Sequence, residues 1–364
     1  MATTSPTGDS PGDSRVDVPG DARGASAARA ARLPSMADVA ALAGVSSQTV
    51  SRVVNARSNV DAATRYRVQA AMDEIGYRPN SAARALRSGK FSTIGVIMFT
   101  LSSFGNMRTL DAVATVAAES GYSITLIPVA LPTQGSVVGA VNRLAEQAVD
   151  GIVIIMEAHI FDRIDVPVPP GLPVVIVDSD AGSRFTVVDT DQSEGARLAT
   201  QHLLDLGHRT VWHIAGPEVS FSARRRTASW RRTLEAAGAP VPPVLVGDWN
   251  ADAGYLHGAT LAADPSVTAI FASNDQMALG VMRALHEAGR AVPASCSVVG
   301  FDDMAESDAF WPPLTTVHQD FHRLGRLCFE KLLAQIDSPS ASAPGTTIVP
   351  THLVLRASTA PPPP

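Results

Sequence analysis

The chain has 364 residues, of which 45% are hydrophobic and 18% charged, with two cysteines and a formal net charge of −6. Such a length exceeds one ordinary core and predicts two or three domains, and the composition excludes wholesale disorder. No run of about 18 apolar residues could span a bilayer and no apolar leader follows the Ser-, Gly- and Pro-rich start, so a cytoplasmic protein with no membrane partner is expected. Cys296 and Cys328 form neither a disulfide framework nor a CxxC pair and read as buried thiols.

The charge is unevenly spread. Residues 34–91 carry eight basic and four acidic side chains, residues 1–33 are neutral, and the remainder stands at −10. A small basic module on an acidic body is the asymmetry of a DNA-binding head.

Residues 1–33 have turn-forming composition without periodicity and are expected to be disordered. Helical spacing then begins, with Met36, Val39, Ala40 and Ala43 on one face and Gly44 placed to turn the chain with positive φ. Ser46 can cap a second helix whose inward face is Val50, Val53 and Val54. Asp61 can cap a third, running through Val68, Ala71, Met72 and Ile75 to a stop at Gly76, with Pro79 beyond. Three short helices, the first two joined by a Gly-containing turn, predict a helix-turn-helix over residues 34–79.

From Thr93 onward apolar strand-like runs alternate with amphipathic segments. The runs are Ile94–Phe99, Ser123–Pro128, Gly151–Met156, Pro173–Val177, Thr210–Ala215, Val244–Val246, Ala269–Ala272 and Ser297–Phe301. Val137, Val141, Leu144 and Ala148 form one stripe of an intervening helix. Eight such strands predict a two-lobed α/β body of two doubly wound parallel sheets, over residues 92–356. Ala360–Pro364 is Ala and Pro, so residues 357–364 are expected to be a disordered tail, and no leucine heptad follows the body.

The second helix of the head is the candidate DNA reader. A recognition helix needs its N-terminal side chains to reach base edges in the major groove. Ser47, Gln48 and Arg52 lie opposite the valines; Gln suits adenine and Arg suits guanine O6 and N7. Ser46, Thr49, Ser51 and Asn55 are short donors suited to phosphate oxygens. An ordinary capped surface helix is the alternative that the pattern leaves open.

The stretch Met36–Ala40 through Gly44-Val45-Ser46, then Thr49–Asn55, resembles the head of the lactose/galactose repressor family of bacterial transcription regulators. So do Tyr77-Arg78-Pro79-Asn80 and Ala82–Arg87. The resemblance implies that residues 80–91 form a hinge helix lying in the minor groove, ordered on operator DNA, with Asn80 as its cap and Leu86 wedged into the central base step. It extends through the body to about Leu355 and is nearest the lactose branch in five places: Gly216-Pro217 with Ser222–Arg226 and Trp230; Gly247-Asp248-Trp249; Asn274–Gly280; Ser297–Asp303; and Pro312–Phe321.

Even without the resemblance, Asp178, Asn274, Asp275 and Asp302 follow the carboxyl ends of predicted strands, where open α/β sheets bind ligands. Carboxylates and amides accept from sugar hydroxyls, an arginine donates in a fork, and a tryptophan offers a flat face. The resemblance assigns the effector site to Asp178, Ser222, Arg226, Trp249, Asn274, Asp302, Gln319 and Phe321. Phe99 and Ile155 depart from it, standing where the lactose branch has small or amide side chains facing the sugar, which puts galactoside identity in doubt.

Enzyme and metal readings find little support. No GxSxG, Walker A or GxGxxG sequence is present. His318 and His322 stand four apart, as two ligands on one helix face would, but no third ligand accompanies them, and His202, His208 and His213 read as structural. The sequence therefore describes a non-enzymatic homodimeric repressor without cofactor or metal, binding a near-palindromic double-stranded operator and released by a sugar or glycoside. Without a C-terminal heptad a dimer is expected rather than a tetramer. The alternative is a repressor with a nucleobase or other small metabolite as corepressor.

Overall fold

The computed structural model describes residues 33–364 apart from 56, 79–88, 102, 130–132, 156–166, 182–183 and 339–342. Two compact units divide after Asn80.

The first unit holds α1 (Met36–Ala43), α2 (Ser47–Val54) and α3 (Ala62–Glu74). Each starts on the side chain that satisfies its free amides: Ser35, Ser46 and Asp61 accept from the backbone N–H three residues on. At Ser35 the cap is reciprocal, because Asp38 accepts from the Ser35 N–H at 2.8 Å. Gly44, at φ 63°, ends α1 in the left-handed conformation that a side chain disfavours. Val39, Ala40 and Ala43 meet Val50 and Val53 of α2 and Val68, Ala71 and Met72 of α3 in one small core.

Among the described residues, the second unit contains two six-stranded sheets. The first lobe has the order β11-β5-β4-β3-β1-β2, formed by β1 (Thr93–Met98), β2 (Ser123–Pro128), β3 (Gly151–Ile155), β4 (Val174–Val177), β5 (Thr186–Thr190) and β11 (Gly345–Val349). Helices α4 (Phe104–Glu119), α5 (Gln134–Glu146) and α10 (Phe321–Asp337) cover its faces. The second lobe has the order β12-β10-β9-β8-β6-β7. Its strands are β6 (Trp212–Ala215), β7 (Leu245–Val246), β8 (Ala269–Ala272), β9 (Ser297–Asp302), β10 (Thr315–His318) and β12 (His352–Val354). Helices α6 (Gln192–Asp205), α7 (Phe221–Ala236), α8 (Ala251–Ala262) and α9 (Asp275–Glu287) cover it. All neighbours are parallel except β12, which runs antiparallel to β10.

Burial on both faces explains why the central strands read as unbroken apolar runs. In β1, Ile97 joins the cluster with Val141 and Leu144, while Ile94, Val96 and Met98 join Val116, Leu324 and Phe329 on the other face. The chain passes between lobes three times, at Thr190–Gln192, His318–Phe321 and Val349–His352. The passages are tied together: Asp191 N–H donates to Val349 O at 2.9 Å and Thr351 Oγ1 donates to Asp191 O at 3.1 Å.

Two features differ from the sequence reading. Four of the twelve described strands, β5, β10, β11 and β12, are not among the predicted runs. They are short and Thr-, His- or Gly-containing, so their apolar signal is diluted. The expected disordered tail is also replaced, at residues 357–360, by docked chain. Ser358 is fully buried; its Oγ accepts from Thr315 N at 2.8 Å and donates to Val298 O at 2.6 Å. Ala360 N–H donates to Ser297 Oγ at 3.0 Å. Proline cannot continue a helix, but the backbone before it can still pair with distant partners, as Ala360 O does in accepting from Ser297 Oγ at 3.0 Å. Among the described residues no helix is long and apolar enough to cross a membrane.

Helices α8 and α9 approach at backbone distance. A Cβ at Gly280 would fall inside the van der Waals radius of Ala251 O, and one at Gly254 inside that of Met277 O. Gly280→Ala must push the helices apart and is expected to cost about 1–3 kcal/mol in urea denaturation, with Gly289→Ala, in open space, as a backbone-strain control.

Candidate ligand cleft and DNA-reading helix

On α2, Val50 and Val53 are buried while Ser46, Ser47, Gln48 and Arg52 are exposed, so the predicted base-reading face is free of the unit's own core. Thr49, Ser51 and Asn55 are half-buried. Asn55 also acts locally, since its Nδ2 donates to Ser51 O at 2.6 Å and closes the end of α2. Asn80 and Leu86 lie outside the described residues.

In the body, the carboxyl ends of the strands of both lobes face one shared cavity. All eight predicted effector residues line it, contributed by several separate turns and helix starts. Asp178 follows β4, Trp249 precedes α8, and Asp302 ends β9; these three have φ of 59°, 74° and 111°. Left-handed backbone at non-glycine residues costs energy and persists where its surroundings enforce it, and here it clusters around one cavity. Ser222 and Arg226 come from the first turns of α7, and Gln319 and Phe321 from the second interlobe passage. Asn274 caps α9, accepting from Met277 N at 2.9 Å, while its Nδ2 donates to Trp249 O at 2.9 Å. One amide thus fixes both the helix start and the loop bearing the tryptophan.

Arg226 is the electrostatic centre. Only 4% exposed, it donates from Nε to Gln192 Oε1 at 2.8 Å and from a terminal nitrogen to Ser273 O, and it stands 3.7 Å from Asp302 Oδ1. Its guanidinium carbon lies 3.7 Å from the Phe301 ring centroid. Asp302 in turn accepts from Gln319 Nε2 at 2.6 Å. Pairing, hydrogen bonds and a π face together make this buried charge tolerable. Behind it, His213 is fully buried between the Trp230 and Phe271 rings, and burial drives its imidazole down to about 3, so it is neutral.

Sequence reasoning missed part of the lining. Ser103, Asn106 and Thr109 come from the start of α4, and Asp189, Thr190 and Gln192 from the end of β5 and the first passage. Burial pushes the Asp189 carboxyl up to about 6 against the pull of Arg225. The available signal was Thr186–Thr190, a β-branched run ending at Asp191, the cap of α6.

The departures from the family pattern resolve differently. Ile155 lines the cavity, whereas Phe99 is absent from its lining and packs partly buried on the Ile97 and Ile127 cluster. His318 and His322, four apart in the sequence, do not share a helix face: His318 ends β10 and His322 lies on α10. His318 Nδ1 instead pairs with Asp303 Oδ2 at 2.9 Å. Among the described residues no cluster of three or more His, Cys, Asp or Glu could hold a metal.

Residues 35–80 match the family of bacterial regulatory proteins of the lacI type, and residues 200–359 match a periplasmic binding protein-like domain. The chain is 36% identical over 324 residues to the lactose operon repressor of Escherichia coli (strain K12), covering 88% of this chain and 89% of that protein. The chain belongs to the LacI family of bacterial regulatory proteins. Among solved structures, the lac repressor dimer bound to operator and the anti-inducer ONPF superposes with a TM-score of 0.81 at 35% identity, covering 90% of this chain and all of that one. A complex of the transcriptional regulator CelR with cellobiose gives 0.66 at 30% identity, covering 89% and 99%. These relatives are transcription regulators, not enzymes, and the head-plus-two-lobed fold is theirs.

Proposed function

We propose that this protein is a cytoplasmic repressor of sugar-utilisation genes that holds a near-palindromic operator as a homodimer and releases it when a sugar or glycoside fills the cleft. The observation that carries the reading is the cavity itself. Carboxylates, amides, one buried arginine and one tryptophan converge on it, a set that pairs hydroxyls and stacks on C–H faces. The lactose operon repressor and the cellobiose-bound regulator among its relatives support the ligand class. In this reading Ser47, Gln48 and Arg52 read bases, Ser46, Thr49, Ser51 and Asn55 hold phosphates, and residues 80–91, with Asn80 and Leu86, form the hinge. Residues 34–79 are the head and 92–356 the effector-binding and dimerising body. A second reading, a nucleobase or other small metabolite acting as corepressor, draws on the apolar wall formed by Ile155, Val177 and Leu324.

A gel-shift experiment against duplexes from the protein's own genome, with and without a panel of sugars and nucleobases, separates them. Release by a saccharide supports induction; tighter retention with a nucleobase overturns it. In the same experiment Arg52→Ala is expected to lose about 1–3 kcal/mol of specific operator affinity, with discrimination relaxed at one base pair. Equal loss on every sequence would place Arg52 on the backbone instead.

A further inference from the structure

Two consecutive arginines on α7 do different work. Arg226 turns into its own lobe and the cavity, whereas Arg225 reaches across to the other lobe. Its two terminal nitrogens stand 2.9 Å from Asp180 Oδ1 and 3.3 Å from Asp189 Oδ2. Asp180 lies just beyond β4 and Asp189 within β5, both in the first lobe, while α7 belongs to the second. The guanidinium is steadied by the Phe221 ring, 4.2 Å from its carbon, which reduces the freedom lost when the fork forms. Asp180 is an exposed partner, but the Asp189 side chain is only 2% exposed and lines the cavity. Its other oxygen accepts from Thr190 N at 2.7 Å, at the first interlobe passage.

We propose that Arg225 is an interlobe latch, a positioning residue that holds the two lobes of the cleft together by bridging Asp180 and Asp189. The physical reason is asymmetric. When the lobes part, Arg225 is resolvated, whereas Asp189 must lose its countercharge while still seated in β5 or be exposed with the strand end. Closure therefore supplies the counterion of a buried carboxylate beside the passage through which the lobes communicate, and the latch sets how readily the cleft admits and releases its occupant.

The test uses the full-length protein without ligand, so it stands apart from the choice of effector. Amide hydrogen exchange is followed by mass spectrometry in peptides covering 186–192, with 297–302, in the core of the second lobe, as internal control. Arg225→Ala is expected to speed exchange in 186–192 by roughly tenfold with 297–302 unchanged. Arg225→Lys, a point charge in place of a fork, should fall between. Unchanged exchange in 186–192 of Arg225→Ala overturns the latch. So does equal acceleration in the control peptide, which is the mark of a general loss of stability.

Discussion

Arg226→Ala is expected to abolish the ligand response while leaving operator retention intact. The guanidinium joins three separate segments at the cavity, through Gln192, Ser273 O and Asp302. Removing it deletes the donor fork and takes the arginine charge from beside Asp302, which is 5% exposed. A hydroxyl or carbonyl entering the site would then meet a carboxylate stripped of its arginine and no guanidinium donor. Loss of a buried charged hydrogen bond costs on the order of 2–5 kcal/mol, or about 30-fold or more in affinity. The readout is the thermal shift produced by whichever compound from the saccharide and nucleobase panel stabilises the natural protein, alongside gel retention without ligand. Arg226→Lys keeps the charge but cannot reproduce the fork over Phe301, so it should retain folding and lose most of the shift. A normal shift in Arg226→Ala would remove this residue, and the ligand assignment built round it, from the site.

How much of the molecule is legible in its sequence follows from where the determinants lie. The head is legible almost residue by residue, because its core is local: one 3.6-residue period, a glycine at the turn and the capping side chains Ser46 and Asp61, with only the Ser35 cap of α1 left unread. The central strands are equally plain, since burial on both faces leaves uninterrupted Val and Ile runs. Edge and passage elements are not. Thr186–Thr190, Thr315–His318 and Gly345–Val349 carry threonine, histidine or glycine among their apolar residues, and because Thr190, Thr315 and Thr316 are buried, the apolar run is broken although the strand is covered. For β10 and β11, a partner distant in sequence makes the strand: Thr316 pairs with Val354 and Thr347 with Val188. With β5 hidden, Asp189 and Gln192 have no strand end to sit on and so escape the candidate site. The docked residues at 357–360 are hidden for the same reason: Ser358 is held by Thr315 and Val298, not by anything in its own neighbourhood.

Asp275 should prove the most costly side chain to truncate in the second lobe. It opens α9, is fully buried, and accepts from Met304 N at 2.9 Å, Ser307 Oγ at 2.6 Å and Thr316 Oγ1 at 2.5 Å. One carboxylate therefore joins the helix start beside Asn274, the turn that follows Asp302, and β10. Asp275→Ala leaves three donors without their acceptor and is expected to cost on the order of 3–5 kcal/mol in urea denaturation, read from tryptophan fluorescence. Asp275→Asn keeps one acceptor oxygen and lets the two hydroxyls reorient, so it should cost less than half as much. The pH dependence distinguishes the two roles of the charge. Burial raises the native carboxyl to about 6 from its ordinary value of 3.8, so between those values the folded state binds the proton that the unfolded state has lost. Ionisation opposes folding above about pH 6, and that penalty is relieved as the pH falls toward 4. Relative to Asp275→Asn, which has no such group, the natural protein should therefore gain up to about 2–3 kcal/mol between pH 7 and pH 4. A difference that stays flat across that range, or that shrinks on acidification, would mean that the three hydrogen bonds hold the carboxylate ionised and that burial is not what governs its titration.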